Sequence, residues 1–104
     1  MATVDVTLEN RDELVKEGLS VIYFTADWCG PCQNFRPIYS QVSDEHSEIS
    51  FGKVDVDANQ ELAALYGVRS IPTIVAHRDG EPVLRHTGGL SLPEFRDFVD
   101  QFSK

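Results

Sequence analysis

The chain has 104 residues, 41% hydrophobic and 25% charged, which fits one globular domain over 1–104 and leaves little room for a second. Its 17 acidic side chains outnumber 9 basic ones, for a net charge of -8. That surplus repels phosphate backbones and anionic lipid headgroups, so nucleic-acid and membrane partners are set aside. No apolar run approaches the ~18 residues of a membrane span. Met1 to Leu8 shows no basic patch followed by an apolar stretch, so no signal peptide is visible and a cytoplasmic location is expected.

Thr3 to Leu8 alternates apolar and polar residues and reads as a short strand. Asn10 with Glu13 three residues later has the pattern of a capping box. The helix it opens should bury Leu14 and Val15 and stop near Gly18. Leu19 to Thr25 is a mostly apolar, β-branched and aromatic run, fit for a central strand buried on both faces. A helix should follow to about Glu45, kinked at Pro37, where one backbone donor is missing.

Ile49 to Val56 is the third strand, and Asn59 should cap a short helix through Leu62, Leu65 and Tyr66 that ends at Gly67. Thr73 to His77 and Pro82 to Thr87 flank an Asp79-Gly80 step, a hairpin signal. Ser91 with Glu94 is another capping box, and Phe95, Phe98, Val99 and Phe102 form one apolar stripe of the last helix. The order β-α-β-α-β-α-β-β-α predicts an α/β fold: a mixed sheet with helices on both faces.

The only two cysteines, Cys29 and Cys32, sit where the apolar strand gives way to the second helix. With Cys29 as N-cap, its sulfur can accept the backbone N–H of Cys32, because Pro31 has none to give. The positive end of the helix dipole favours a thiolate there. Both effects lower the Cys29 pKa and make it a nucleophile near neutral pH. Residues three apart on a first turn have Cα atoms roughly 5–6 Å apart, within disulfide range. Cys29 would attack a substrate disulfide, and the less exposed Cys32 would resolve the mixed disulfide. Gly30 leaves room for another chain. The competing chemistry is a zinc half-site, but structural zinc takes four ligands. There is no second Cys-x-x-Cys, and His46, His77 and His86 have no ligand-like spacing.

Nearly the whole chain resembles the thioredoxin family. The similarity is carried by Ala26-Asp27-Trp28-Cys29-Gly30-Pro31-Cys32, Pro37, Lys53-Val54-Asp55-Val56-Asp57, Tyr66-Gly67-Val68-Arg69-Ser70-Ile71-Pro72-Thr73 and Gly88, separated motifs in one order. The resemblance implies a thioredoxin fold, a central mixed β-sheet flanked by four α-helices. It implies a cis bond before Pro72 and a backbone at Ile71 that pairs with the substrate chain. Trp28, Gly30, Pro31, Val68, Ile71, Pro72 and Gly88 would form a shallow apolar rim around Cys29. Trp28 would be partly buried, with its indole N–H bonded to Asp57. The implied activity is reduction of protein disulfides, with no bound cofactor besides the redox pair. An NADPH-dependent flavoprotein, thioredoxin reductase, would recharge the pair, and the protein would be a monomer.

The chain departs from the family pattern at Tyr23, where a buried aspartate is usual six residues before the first cysteine. An unperturbed phenol, with a pKa of about 10, is a poor base near neutrality. Slower resolution by Cys32 and a simpler pH profile are expected, and Lys53 should lack its usual carboxylate partner. Thr25 stands where many bacterial members have tryptophan. Rival readings are a thioredoxin-fold oxidant or isomerase, a specialised member with a dedicated partner, and a binding or scaffold module in which the redox pair is incidental.

Overall fold

The computed structural model describes residues 3–104; Met1 and Ala2, the start of the expected 1–104 unit, lie outside the described residues. In chain order the elements are β1 (Thr3–Asp5), α1 (Arg11–Val15), β2 (Leu19–Thr25), α2 (Gly30–Glu45), β3 (Ile49–Asp55), α3 (Gln60–Leu65), β4 (Thr73–Arg78), β5 (Glu81–Thr87) and α4 (Leu92–Ser103). The strands make one five-stranded sheet in the order β1-β3-β2-β4-β5. β1, β3 and β2 run parallel, while β4 and β5 add antiparallel pairs. The sheet is mixed, as the element order requires.

β2 is central, and its residues alternate between two cores. Val21 and Tyr23 pack with Phe35, Tyr39 and Val42 of α2 and Phe95, Phe98, Val99 and Phe102 of α4. Ile22 and Phe24 pack on the other side with Val15 of α1, Leu62 of α3, and Val54 and Val75 of the flanking strands. Two helices therefore cover each face, and the middle of β2, Val21 to Phe24, is apolar or aromatic at every position because both of its faces are buried. The apolar stripe of α4 is core over its whole length.

Some boundaries differ from the sequence expectation. β1 ends at Asp5 and not Leu8, because Thr7 and Asn10 close a turn there: the Thr7 N–H donates to the Asn10 side chain at 2.8 Å. The same side chain donates to the carbonyl of Asp5 at 3.0 Å, so no capping box forms at α1. Asn59 likewise donates to the carbonyl of Asp55 at 3.1 Å and does not cap α3. Leu14, expected to be buried, is half-buried, and Leu65 on α3 is 63% exposed. At α4 the capping box is present in both directions. The Asp79-Gly80 turn has positive φ at both residues (50° and 87°), as a tight hairpin between β4 and β5 demands. Pro82 sits on β5, an edge strand, where the missing donor disrupts no inner ladder.

Candidate active site

β2 ends at Thr25, and a short loop carries the chain to Cys29, the N-cap of α2. Gln33, one residue past the second cysteine, donates to the carbonyls of Ala26 (3.2 Å) and Asp27 (3.3 Å) and ties that loop to the helix. Sequence reading missed this residue; its only signal is its position one turn after the cap. Arg36 adds an exposed ion pair with Asp27 at 4.0 Å, which contributes little.

Cys29 and Cys32 are joined as a disulfide, with Cα atoms 5.2 Å apart. The Cys29 sulfur accepts the backbone N–H of Cys32 at 3.2 Å, as the missing N–H of Pro31 requires. The first turn of α2 holds no acidic residue, so nothing in it offsets the positive helix end. Cys29 is 5% exposed and Cys32 is fully buried, which orders the two sulfurs by access. A Cβ on Gly30 would meet nothing within 4 Å; the space beside the exposed first turn is open to an incoming chain. Among the described residues, no group of three or more His, Cys, Asp or Glu side chains is placed to hold a metal ion.

The Ile71–Pro72 bond is cis, and the carbonyl of Ile71 lies 3.8 Å from the Cys29 sulfur. Gly88 donates its N–H to the carbonyl of Pro72 at 2.8 Å. Thr73 braces the same turn through a 2.6 Å bond to the carbonyl of Ser70, a contact the sequence did not announce. Trp28 donates its indole N–H to Asp57 at 2.7 Å. The ring is 69% exposed, more open than the partial burial expected, because that bond holds it along the surface. Pro31 is exposed, Val68, Ile71 and Gly88 are half-buried, and Pro72 is buried. The structure thus brings Ile71 directly to Cys29, while Asp57 and Gly88 act on Trp28 and Pro72.

Tyr23 is fully buried beneath the disulfide, and its hydroxyl donates to the carbonyl of Cys32 at 2.6 Å. Burial pushes the phenol up from its ordinary value, so it stays protonated near neutrality. Its proton is directed at a backbone oxygen. Position 23 offers Lys53 no carboxylate, and the lysine instead faces Asp5 of β1 at 3.6 Å. That pair is solvated on the acidic side and contributes little to stability.

The thioredoxin family model matches residues 2–101. A putative thioredoxin 2 of Streptomyces coelicolor is 38% identical over 104 residues, covering 99% of this chain and 78% of that protein. A thioredoxin of Staphylococcus haemolyticus is 39% identical over 102 residues, covering 97% of this chain and 98% of that one. A solved structure of a mutant thioredoxin from Halobacterium salinarum NRC-1 superposes with a TM-score of 0.89 at 33% identity, covering 98% of this chain and 91% of that chain. With its disulfide at the start of α2 as the redox group, the chain belongs to the thioredoxin family and is a thiol–disulfide oxidoreductase that reduces protein disulfides.

Proposed function

We propose that Cys29 is the attacking thiolate and Cys32 the resolving thiol of this reductase. The observation that carries the assignment is the Cys32 N–H aimed at the Cys29 sulfur on an uncompensated helix N-terminus. In the reduced protein these donors stabilise negative charge on Cys29. The thiolate attacks one sulfur of a substrate disulfide; the new bond joins Cys29 to the substrate, and the other substrate sulfur leaves as a thiolate that takes a proton from solvent. Cys32 loses its proton and attacks Cys29, which releases the second substrate thiolate and forms the Cys29–Cys32 disulfide. Two electrons pass to the substrate, and the pair is left oxidised, the form described above.

The substrate chain lies against Trp28, Gly30, Pro31, Val68, Ile71, Pro72 and Gly88, with Asp57 holding the Trp28 ring. The carbonyl of Ile71 beside Cys29 supports this placement, because it offers an acceptor to a strand-like partner. Tyr23 fixes the first turn through the Cys32 carbonyl, and Lys53 lies outside the proton path because Asp5 holds it. The residues act as one 1–104 unit, a monomer of the cytoplasm. An NADPH-dependent flavoprotein reductase returns the two electrons.

The test is dithiothreitol-driven reduction of a generic protein disulfide by wild type, Cys29→Ser and Cys32→Ser. Turnover by wild type, none by Cys29→Ser and a trapped mixed disulfide in Cys32→Ser establish the two roles. Retained turnover in Cys29→Ser would reverse them. No turnover by wild type would favour a specialised member with a dedicated partner, the reading to which Tyr23 lends support.

A further inference from the structure

A second concave site lies on the opposite side of the sheet from α2 and uses none of the redox residues. A cavity of about 560 Å³ opens among α1, α3 and β5, a volume typical of small-molecule sites. Val75 and the ring of Tyr66 line it, and Leu65 and Val83 stand at it 63% and 48% exposed. Large exposed apolar side chains are few here, and Trp28 belongs to the redox surface, so the meeting of Leu65 and Val83 at one hollow marks it out.

The charged groups at this hollow are arginines. Arg11 and Arg85 line it, and no carboxylate does, in a chain that carries 17 acidic residues. Arg85 donates to the carbonyls of Tyr66 (2.5 Å) and Gly67 (3.1 Å), both neutral acceptors, and forms no ion pair among the described residues. Arg11 donates to the Tyr66 hydroxyl at 2.9 Å and to Asp12, whose side chain is 85% exposed, at 2.7 Å. Each guanidinium has five N–H donors and spends two within the chain.

Arg11 is held in place from the interior. Its guanidinium carbon lies 5.2 Å from the centre of the Tyr66 ring, and the Tyr66 hydroxyl lies 2.8 Å from Nε2 of the fully buried His77. A buried polar chain that ends on an arginine at the edge of an apolar cavity fixes that arginine before any ligand arrives. Less side-chain freedom is then lost on binding.

We propose that this cavity binds a small organic carboxylate with an apolar body, an aliphatic or aryl acid. The guanidiniums of Arg11 and Arg85 take the carboxylate, and Leu65, Tyr66 and Val83 take the apolar part. Arginine suits this role because its planar fork matches a carboxylate. The site is separate from disulfide reduction, since neither cysteine nor Trp28, Ile71 or Pro72 lines it.

The test is titration of the isotope-labelled oxidised protein with octanoate, below its micelle concentration, following backbone amide shifts. Octanol serves as the uncharged control. Octanoate is expected to give saturable shifts at Leu65, Tyr66, Val83, Leu84 and Arg85, with octanol binding roughly tenfold more weakly. Arg85→Gln should weaken octanoate by roughly the same factor, and Val83→Asp should weaken it further by placing a like charge at the hollow. Both variants should keep wild-type disulfide reduction, which shows that they fold. Shifts centred on Trp28 and Ile71, equal affinity for octanol and octanoate, or undiminished binding in both variants would each overturn the proposal.

Discussion

Under α2 and α4 the sheet packs against aromatic rings: Tyr23, Phe35, Tyr39, Phe51, Phe95 and Phe98. Under α1 and α3 it packs mainly against aliphatic side chains, Val6, Val15, Ile22, Val54, Leu62 and Val75, with Phe24 the one buried phenyl ring among the described residues there. The buried polar groups differ as well. On the aromatic face, hydroxyls bond only to backbone: Tyr23 to Cys32, and Tyr39 to Val21 (3.0 Å) and Gly52 (2.7 Å). On the aliphatic face, Tyr66 joins two ionisable side chains, Arg11 and His77. Among the described residues, the redox pair sits on the face whose buried phenols, Tyr23 and Tyr39, are kept neutral by burial, and the face turned away from it holds His77, whose pKa burial lowers.

The largest expected effect tests the packing half of this contrast. Phe95 stacks on Tyr39 and Phe98 and meets Phe35 edge-on, with centroids 5.1 to 6.0 Å apart. Phe95→Ala removes those ring pairs and leaves a cavity, and should cost ~5 kcal/mol. Leu62 lies on the short α3 and packs against aliphatic neighbours, so Leu62→Ala should cost ~2–3 kcal/mol. Urea unfolding of both variants reads the difference. Equal losses would show that the aromatic cluster adds nothing beyond the area it buries.

How much of this was legible in the sequence depends on whether a feature is local. The both-faced burial of β2 follows from the apolar and aromatic run at its middle, Val21 to Phe24. The Ser91 and Glu94 box and the Cys29 cap follow from spacings within one turn. Asn10 and Asn59 looked like caps for the same kind of reason, but each amide turns back to a carbonyl at the end of the preceding strand. A strand end supplies a competing acceptor that a spacing rule does not see. The pairing of Lys53 with Asp5 depends on β1 lying beside β3. The Arg11, Tyr66 and His77 chain spans separations of 55 and 11 residues, and His77 alone looked like any strand histidine. Pattern could not find the hollow, because its lining comes from α1, the end of α3, β4 and β5, which only the fold brings together.

The second expected effect tests the electrostatic half. Arg11 can only donate, so the Tyr66 oxygen accepts from it and the Tyr66 proton goes to Nε2 of His77. That leaves the proton of neutral His77 on Nδ1, which has no hydrogen-bond partner. Burial, aided by the Arg11 charge, lowers the His77 pKa to about 4. The unfolded chain takes up this proton near pH 6.5 and the folded protein does not, so stability is full above that value and falls as pH drops toward 4. Between pH 7 and 5 the loss from this group is about 2 kcal/mol. His77→Leu should remove that part of the slope in unfolding measured at the two pH values, while every other titrating group is common to both proteins. An unchanged slope would mean that His77 titrates alike folded and unfolded.

The smallest expected effect tests whether the redox face is as indifferent to charge as its interior indicates. Tyr23→Phe removes only the hydroxyl bond to the Cys32 carbonyl, so it should cost about 1 kcal/mol and leave the pH profile of resolution unchanged. The native phenol is protonated throughout the working range, and its loss removes no base. Tyr23→Asp does the opposite. It places a carboxylate in a fully buried position whose burial raises its pKa toward neutrality, where it can take the proton of Cys32. The second step, followed as release from a preformed mixed disulfide, should quicken by at least about tenfold and gain a pH-dependent limb. The same substitution should weaken the fold, because Tyr23 packs against Phe35 and Tyr39, so the rate is read at a urea-free temperature well below unfolding. If the folded Tyr23→Asp protein resolves at the wild-type rate with a flat profile, proton removal from Cys32 does not limit the second step, and the tyrosine is there for packing and for the helix turn alone.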